Sequence, residues 1–396
     1  MKKIFTIISL IVLSGQLFSQ PLQRVKPEEV DMDAKKLEKA DDIIYRNVRN
    51  GTIPGAVFAV VRHGKVAYMK AYGYRSLVPF RESMTENTIF DLASLTKPLA
   101  TAISAMILVE RGELDLYAPV NKYIPEFKDW TYRTGRTKPI KIINLMTHTS
   151  GLPAYAPYER LAMTLGSPNP QGFMRFIANV SREAPPETNF EYSCLNFITL
   201  QNVIQNITKK DLRDFAKENI YDKLGMKHTD FNPTGEMLKN IAPTEKTEKY
   251  GLLKGVVQDP LARLLNAGTS GNAGLFSNAA DIAILVAALQ NGGSWNNQDI
   301  LKPETVKMMR TIPMNLQFFG RALGWDVSSV YSNIKGTFFG KNTYMHTGYT
   351  GTSVVIDPDT DTGVIILTNR VHPKDKGNIK YLRIDVANTV AGAIVK

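Results

Sequence analysis

The stretch Phe90–Glu110, FDLASLTKPLATAISAMILVE, carries the features that decide the fold and point to a chemistry. Ser94 and Lys97 stand three residues apart at the start of an apolar run, so a helix would place both side chains on one face. A serine hydroxyl is a weak nucleophile unless a base lies beside it, and a lysine in suitable surroundings can be that base. The backbone N–H of a serine at a helix start also faces an oxyanion that forms there. This stretch therefore predicts a nucleophile, a base and half of an oxyanion hole.

The spacing alone is weak evidence, and the sequence contains its own control. Ser332 and Lys335 repeat the S-x-x-K pattern, but no apolar helical run follows them and Gly336 comes next. We interpret the second copy as a surface turn. Only Ser94 has the context of a buried helix start.

The N-terminus predicts export. It reads MKKIFTIISLIVLSGQLFSQ, with two lysines, an apolar run and then small or polar residues, which is typical of a secretory signal peptide. Cleavage near Ser19 or Gln20 fits this pattern, no cysteine follows as a lipid anchor, and no later stretch reaches about 18 uninterrupted apolar residues. We therefore predict a signal peptide at 1–20 and one mature domain at 21–396 that is periplasmic or secreted, without a stable transmembrane segment.

Composition narrows the class of protein further. The chain has 396 residues, 43% of them hydrophobic, which is enough for a large core. Its single cysteine, Cys194, excludes an internal disulfide. The formal charge is +11, and loss of Lys2 and Lys3 with the signal peptide leaves two fewer, +9. No long Lys/Arg run and no nucleic-acid motif occurs, so we favour a diffusely basic surface over a polymer-binding one and expect no nucleic-acid partner.

Hydrophobic periodicity predicts the order of the elements. The predicted helices are 33–49, 142–147, 171–180, 195–207, 211–224, 279–290 and 377–394, and the predicted strands are 56–62, 65–72, 321–331, 343–347, 352–357 and 363–369. The order predicts an α+β fold with one antiparallel sheet flanked by helices. A mainly helical region, about 112–270, is inserted between its first and last strands.

Two further segments could carry chemistry. Tyr192 stands at a helix start, and a tyrosine beside an ammonium can act as general base or acid. The run His346–Gly351 lies on a predicted strand, where threonine and glycine would let a substrate backbone approach and a backbone N–H could complete the oxyanion hole. Taken singly, an ordinary packed tyrosine and an ordinary glycine-containing strand are the better interpretations.

Other chemistries are less well supported. His148 is a candidate base or ligand, but the five histidines show no H-x-x-x-H spacing and no carboxylate partner, so we expect no metal site. A Ser-His-Asp enzyme is a rival, yet no G-x-S-x-G elbow occurs. Cys194 as nucleophile is disfavoured, because a lone buried cysteine usually packs as a small hydrophobe.

The three motifs gain weight from their order. The segments Ser94–Lys97 (SLTK), Tyr192–Cys194 (YSC) and His346–Gly348 (HTG) resemble the three motifs of the penicillin-recognising serine hydrolases. The resemblance is closest to the class C β-lactamase-like branch, with its D-alanyl-D-alanine carboxypeptidases, its esterases and the penicillin-binding protein 4B type. The runs LMTHTSGLP and AGTSGNAGLFSNAADIAIL also resemble that branch. The similarity covers nearly all of the chain, about 33–394.

The resemblance implies a fold and a mechanism. The fold is the serine β-lactamase/DD-peptidase-like fold, with an inserted all-helical subdomain and a cleft beside the sheet. Ser94 would attack a carbonyl and form an acyl-enzyme, while Lys97 and Tyr192 pass the protons. Which of the two takes the first proton stays open, because a coupled pair can share it. The N–H groups of Ser94 and Tyr349 would form the oxyanion hole.

The resemblance also implies the groups that bind substrate, and no cofactor or metal. The substrate-binding residues would be His346, Thr347, Gly348, Tyr349 and Cys194.

Two of these positions depart from the family's usual motifs. Cys194 stands where members often have an asparagine that hydrogen-bonds the substrate amide, and cysteine is a poor donor. His346 stands where many members have a lysine that attracts a carboxylate, so carboxylate capture should be weaker or acid-dependent.

We therefore expect an exported serine hydrolase that acts on an ester or amide through an acyl-enzyme, with a small molecule or a peptidoglycan-derived peptide as substrate. A β-lactamase with modest activity and a non-catalytic protein that binds penicillin or peptidoglycan are the alternatives. The intact Ser94, Lys97 and Tyr192 argue against the second, because a binding module has no need for all three. The oligomeric state is not predicted.

Overall fold

The strand Gly55–Arg62 lies at the centre of the fold in the computed structural model of this chain, which describes residues 22–395. All eight of its residues are buried, because the sheet is covered on both faces. Its odd-numbered side chains from Val57 to Val61 belong to the larger hydrophobic core, and its even-numbered ones from Ala56 to Val60 belong to a smaller core on the opposite face. The signal peptide predicted at 1–20 lies outside the described residues.

The sheet has six strands, and every neighbouring pair is antiparallel. The strands in chain order are β1 (Gly55–Arg62), β2 (Lys65–Ser76), β3 (Glu82–Ser83), β4 (Tyr344–Thr347), β5 (Ser353–Asp357) and β6 (Thr362–Thr368). Their spatial order is β4-β5-β6-β1-β2-β3, so the last strand of the chain pairs with the first. The predicted turn at His63 and Gly64 joins β1 to β2, and both residues have the positive φ that a two-residue hairpin requires.

Helices cover both faces of the sheet. The α-helices are Ala34–Leu37, Lys39–Arg49, Ile103–Glu110, Ile142–Met146, Tyr158–Leu165, Pro170–Asn179, Cys194–Thr208, Leu212–Ala216, Asp222–Leu224, Glu236–Asn240, Ala279–Gln290, Pro303–Met309 and Lys380–Ala393. Lys39–Arg49 and Lys380–Ala393 pack against each other over the smaller core, whereas Ala279–Gln290 packs on β1 and β6 from the other side. The predicted α+β fold is confirmed.

Shorter elements complete the chain. The 3₁₀ turns are Pro27–Val30, Ala93–Leu95, Val120–Lys122, Met314–Phe319 and Ser332–Lys335, and the π-helical turns are Lys97–Ala102, Lys217–Tyr221 and Leu261–Leu265. A small sheet joins Phe90–Asp91, Leu275–Ser277 and Asp230–Phe231, and three two-stranded ladders pair Trp130–Thr131 with Thr137–Lys138, Lys246–Thr247 with Gly251–Leu252, and Ser294–Trp295 with Gln298–Asp299. The second S-x-x-K copy at Ser332–Lys335 is thus a single 3₁₀ turn.

The strand predicted at 321–331 is wrong. Arg321 and Asp326 form an isolated bridge to each other, and Asp326 forms one more to Met345 of β4. Gly324 between them has a φ of 86°, which reverses the chain. The residues with the alternating pattern form a tight loop around the buried Arg321–Asp326 ion pair, and not an extended strand.

The apolar run after Ser94 forms the core helix of the larger hydrophobic core. The helical segment Ala93–Glu110 is long and apolar enough to span a membrane by length and composition, but most of it is buried inside the protein. We therefore interpret it as a core element rather than a membrane span.

Candidate active site

Ser94 lies on a strained turn. The chain leaves the short strand Phe90–Asp91, and Ala93 then adopts a φ of 47°, which is uncommon for a residue with a side chain. The backbone N–H of Ala93 donates to Oδ1 of Asp91 at 2.9 Å, and the hydroxyl of Thr96 donates to the carbonyl of Ala93 at 2.7 Å. These two bonds hold the turn that presents Ser94, in a conformation typical of functional sites.

The helix that follows is less regular than the sequence predicts. Ala93–Leu95 is a 3₁₀ turn, Lys97–Ala102 is π-helical, and regular α-helix begins only at Ile103. Pro98 has no N–H to donate to the carbonyl of Ser94, so the regular α-helical bonding pattern is interrupted there. The predicted shared face still holds, because Nζ of Lys97 lies 2.9 Å from Oγ of Ser94.

Lys97 is completely buried, with three acceptors around its amine. Nζ donates to Oγ of Ser94 and to the carbonyl of Asn272 at 3.0 Å, and it lies 3.6 Å from Sγ of Cys194. Burial lowers the pKa of Lys97, but the nearby Cys194 and Tyr192 favour its charge and the net effect is a raised pKa. Three acceptors match the three N–H groups of an ammonium. In this arrangement the amine of Lys97 donates a hydrogen bond to Oγ of Ser94.

Tyr192 covers this ammonium. Its ring centroid lies 4.9 Å from Nζ of Lys97, and the residue directly precedes Ser193, the N-cap of the helix Cys194–Thr208. The imidazole of His148 packs against the Tyr192 ring, with centroids 4.5 Å apart and the ring planes tilted by 34°. The geometry thus places the tyrosine, the lysine and Ser94 together, as the motif order predicted.

His148 supports Tyr192 rather than acting as a base. Its Nδ1 accepts from the backbone N–H of Ser193 at 3.1 Å and lies 3.2 Å from Nδ2 of Asn196. Burial, with the nearby Arg321 and Lys97, lowers the pKa of His148 well below its ordinary value. A neutral imidazole with Nδ1 occupied as an acceptor cannot take a proton there.

The HTG segment meets Ser94 at the end of β4. Thr347 ends the strand, as the strand predicted at 343–347 has it, and Gly348 and Tyr349 of the motif run lie beyond it in the turn to β5. The hydroxyl of Thr350 donates to the carbonyl of Asp91 at 2.7 Å, and that of Thr352 donates to the carbonyl of Leu92 at 2.9 Å. These bonds fix the turn against the one that carries Ser94.

Glycine is required at 348 because the two turns approach closely. A Cβ at Gly348 would lie 2.3 Å from the carbonyl oxygen of Leu92. Ser94 and Tyr349, the proposed oxyanion-hole residues, line one cavity of about 410 Å³ as a result.

His346 is buried and uncharged. Its Nδ1 lies 2.9 Å from the carbonyl oxygen of Thr347, to which it donates as a neutral imidazole. Burial, with Arg321 and Lys97 nearby, lowers the pKa of His346 well below its ordinary value. Attraction of a carboxylate by a charged His346, the acid-dependent option of the sequence analysis, is therefore not supported.

Three arginines that the motifs did not reveal line the same cavity. Its lining residues are Ser94, Tyr192, Arg321, Asp326, Tyr331, Met345, His346, Thr347, Gly348, Tyr349, Arg370, Gly377, Asn378, Ile379 and Arg383. Arg321 pairs with Asp326, and Arg370 pairs with Asp375 on the rim. For Arg370 and Arg383 the only sequence signal was the basic character of 370–383, and Arg321 had none.

Arg383 has a different environment from the other two arginines. Its Nη2 donates to the carbonyls of Gly348 and Thr352, and no carboxylate among residues 22–395 pairs with it. Burial and the neighbouring Arg370 lower the pKa of Arg383 to about 9. The cavity therefore contains a half-buried guanidinium that has no counter-ion within residues 22–395.

Within residues 22–395 no cluster of three or more His, Cys, Asp or Glu side chains could hold a metal ion. Cys194 is a neutral thiol, because burial raises its pKa more than the nearby Lys97 lowers it. Its sulfur contacts the amine of Lys97, and this geometry does not make Cys194 the nucleophile.

Comparison with known proteins gives one consistent result. The family model described as Beta-lactamase matches residues 37–388. The N-acetylmuramyl-L-alanine amidase of Bacillus subtilis is 32% identical over 388 residues, which cover 90% of this chain and 87% of that protein. A Salmonella agona protein assigned by name to the D-alanyl-D-alanine carboxypeptidases is 32% identical over 403 residues, covering 93% of this chain and 91% of that protein.

Solved structures show the same fold. EstCE1, a hydrolase with promiscuous acyltransferase activity, matches with a TM-score of 0.73 and 26% identity over 90% of this chain and 99% of that one. The octameric penicillin-binding protein homologue from Pyrococcus abyssi matches with a TM-score of 0.68 and 21% identity over 90% of this chain and 77% of that one.

Asp91 should make stability depend on pH. Burial raises the pKa of Asp91 to about 6, against the hydrogen bonds from Gln258 and Ala93 that lower it. Below the unfolded pKa of about 3.9 the carboxyl is protonated in both states, and its contribution to stability is fully present. As the pH rises from about 4 through about 6 this contribution is lost, by about 3 kcal/mol.

In the Asp91→Asn variant the free energy of unfolding should lack the fall with rising pH that Asp91 causes. Urea unfolding of both proteins between pH 4 and pH 7 measures the difference. Parallel curves of unfolding free energy against pH would contradict the assignment.

Cys194→Asn should raise kcat/KM on amide and β-lactam substrates by up to about tenfold, because an amide donor near Lys97 could bond the substrate amide. Ester turnover should change little. Cys194→Ser is the matched control, since it keeps the size without the amide. Amide rates equal to wild type in the Asn variant would reject this explanation.

Proposed function

This chain belongs to the Beta-lactamase family and is a hydrolase, and on that premise we propose that it is an exported serine hydrolase that cleaves an ester or amide through an acyl-enzyme on Ser94. One observation carries the proposal. Oγ of Ser94 lies 2.9 Å from Nζ of the buried Lys97, under the ring of Tyr192, at the wall of a cavity open to substrate. A nucleophile, a proton relay and a binding space are thus in one place.

In this proposal we assign the role of the base to Tyr192. The oxygen of Tyr192 takes the proton as Oγ of Ser94 attacks the carbonyl carbon, and the amine of Lys97 lies beside both residues. The new oxyanion accepts hydrogen bonds from the N–H groups of Ser94 and Tyr349. The leaving group departs with the proton from Tyr192. Water then attacks the acyl-enzyme, loses its proton by the same route and returns Ser94 to its free form.

The cavity favours a substrate that carries a carboxylate. Three guanidiniums line it, and Arg383 has no acidic partner among the described residues. An anionic substrate would supply the missing counter-charge. The two curated relatives are named for amide or peptide bonds of alanine, which supports a peptidoglycan-derived peptide as the class of substrate.

Export completes the proposal. The signal-peptide pattern of residues 1–20 supports a periplasmic or secreted location, where peptidoglycan fragments occur. A chain with a single cysteine needs no disulfide partner there.

Ester hydrolysis is the second candidate, on one specific observation. Cys194 contacts Lys97 at the position where an asparagine amide would bond a substrate amide, and an ester has no N–H or amide geometry to recognise. The fold neighbour EstCE1 supports this option. A weak β-lactamase and a non-catalytic binder rank lower, the second because the Ser94–Lys97–Tyr192 geometry is intact.

A covalent probe tests the nucleophile directly. Mixed with a fluorophosphonate, and separately with a penicillin, the mature protein should gain one adduct on Ser94 in at least the first reaction. The adduct should be absent from Ser94→Ala. Ser332→Ala removes the serine of the second S-x-x-K copy and is the matched control that should react like wild type. Intact mass and peptide mapping give the result, and an adduct that persists in Ser94→Ala would reject the mechanism.

The carboxylate preference has its own test. Arg370→Met should lower kcat/KM about tenfold for an acylated dipeptide with a free terminal carboxylate, through loss of a charge-assisted hydrogen bond. The same dipeptide as its methyl ester should be nearly unaffected. Lys376→Met, on the same loop, is the control. Equal losses on acid and ester would show that Arg370 does not select the carboxylate.

A further inference from the structure

A fully buried ion pair lies beside Tyr192. The side chains of Arg321 and Asp326 are 2% and 1% exposed, and Nη1 of Arg321 donates to Oδ2 of Asp326 at 3.0 Å. Asp326 also accepts from the backbone N–H and the hydroxyl of Ser329, so its carboxylate is well satisfied. Arg321 is not, because its Nε and Nη2 have no hydrogen-bond partner among the described residues.

The unsatisfied part of Arg321 has aromatic neighbours. Its Cζ lies 5.8 Å from the ring centroid of Tyr192 and 6.0 Å from that of Phe190. Buried N–H groups without acceptors are costly, and a buried ion pair is often no more stabilising than an apolar pair of the same size. Stability alone therefore does not explain a guanidinium at this place.

The groups around Tyr192 leave two positive charges facing it. They are the ammonium of Lys97 from the π-helical turn and the guanidinium of Arg321 from the loop before β4. The imidazoles of His148, after the helix Ile142–Met146, and of His346, on β4, have ring centroids 4.5 and 6.0 Å from it and are neutral.

The remaining titratable neighbours add no further cation. They are the thiol of Cys194 on the adjoining helix, the hydroxyl of Tyr331 on the cavity wall, the carboxylate of Asp326 behind Arg321, and Asp259, which bonds Tyr155 and Asn272 near Lys97. Arg321 is thus the second cation at the proposed base.

We propose that Arg321 is a positioning residue for the Ser94 reaction: held by Asp326, its guanidinium stabilises the deprotonated Tyr192 that accepts the proton of Ser94. The inference rests on the proposed function. In the step concerned, the proton of the Ser94 hydroxyl moves to the Tyr192 oxygen as the Ser94 oxygen bonds the carbonyl carbon. Asp326 sets the strength of the effect, because its negative charge offsets part of the guanidinium charge.

Substitutions of Arg321 and of Asp326 should shift the pH profile of Ser94 labelling in opposite directions. The measurement is the second-order rate of fluorophosphonate labelling of Ser94 against pH, which needs no knowledge of the natural substrate. Arg321→Met should move the acid limb of this profile to higher pH by about one unit, about a tenfold loss of rate on that limb. Asp326→Asn should move it to lower pH. Arg321→Lys should restore most of the wild-type position.

A purely structural role predicts a different outcome. Loss of packing would lower the rate at every pH in all variants and leave the acid limb in place. Limbs that coincide with wild type in Arg321→Met and Asp326→Asn would overturn the inference while leaving the proposed function intact. Absence of Ser94 labelling in the wild-type protein would overturn the proposed function and the inference with it.

The double variant Arg321→Met/Asp326→Asn covers the case in which a single variant fails to fold, because it leaves no unpaired buried charge. Circular dichroism establishes folding first. The double variant should show an upward shift smaller than that of Arg321→Met. An unshifted limb in a folded double variant would also overturn the inference.

Discussion

The contact between the buried ammonium of Lys97 and the hydroxyl of Ser94 is the interaction on which the rest of this site depends. A charge without solvent access is tolerated only when each of its N–H groups has an acceptor. The structure meets this need with Ser94, the carbonyl of Asn272 and the sulfur of Cys194, which come from three distant segments of the chain. The requirement to satisfy one lysine thus ties the core helix, the loop that carries Asn272 and the helix Cys194–Thr208 together.

A second constraint is the approach of two turns. Thr350 and Thr352 bond the carbonyls of Asp91 and Leu92, directly before the strained Ala93. Those bonds couple the edge of the six-stranded sheet to the turn that carries Ser94, and they work only because residue 348 has no side chain. The sheet therefore does more than bury apolar surface, since its edge sets the distance between the two proposed oxyanion-hole residues.

Much of this could be predicted from the sequence, and the limits have physical causes. The hairpin at His63–Gly64, the helix predicted at 279–290 and the shared face of Ser94 and Lys97 follow from local rules, and the structure has all three. The loop at 321–331 could not be predicted, because its alternating pattern mimics a strand while a buried ion pair folds it back. The three cavity arginines could not be predicted either, because their position at the cavity depends on the tertiary fold and no local spacing in the sequence indicates it.

The histidines show how burial changes the meaning of a residue type. At its unperturbed pKa, His346 would gain charge in mild acid, and the sequence left acid-dependent capture of a carboxylate open. Inside this site two cations and the loss of water keep both His346 and His148 neutral. The positive charge that the HTG motif lacks is present nevertheless, on Arg321 beside the proposed base and on Arg370 and Arg383 along the cavity wall. Separating these charges allows one cation to act on the proton transfer and others to act on the substrate, so the chemistry and the substrate preference can change independently.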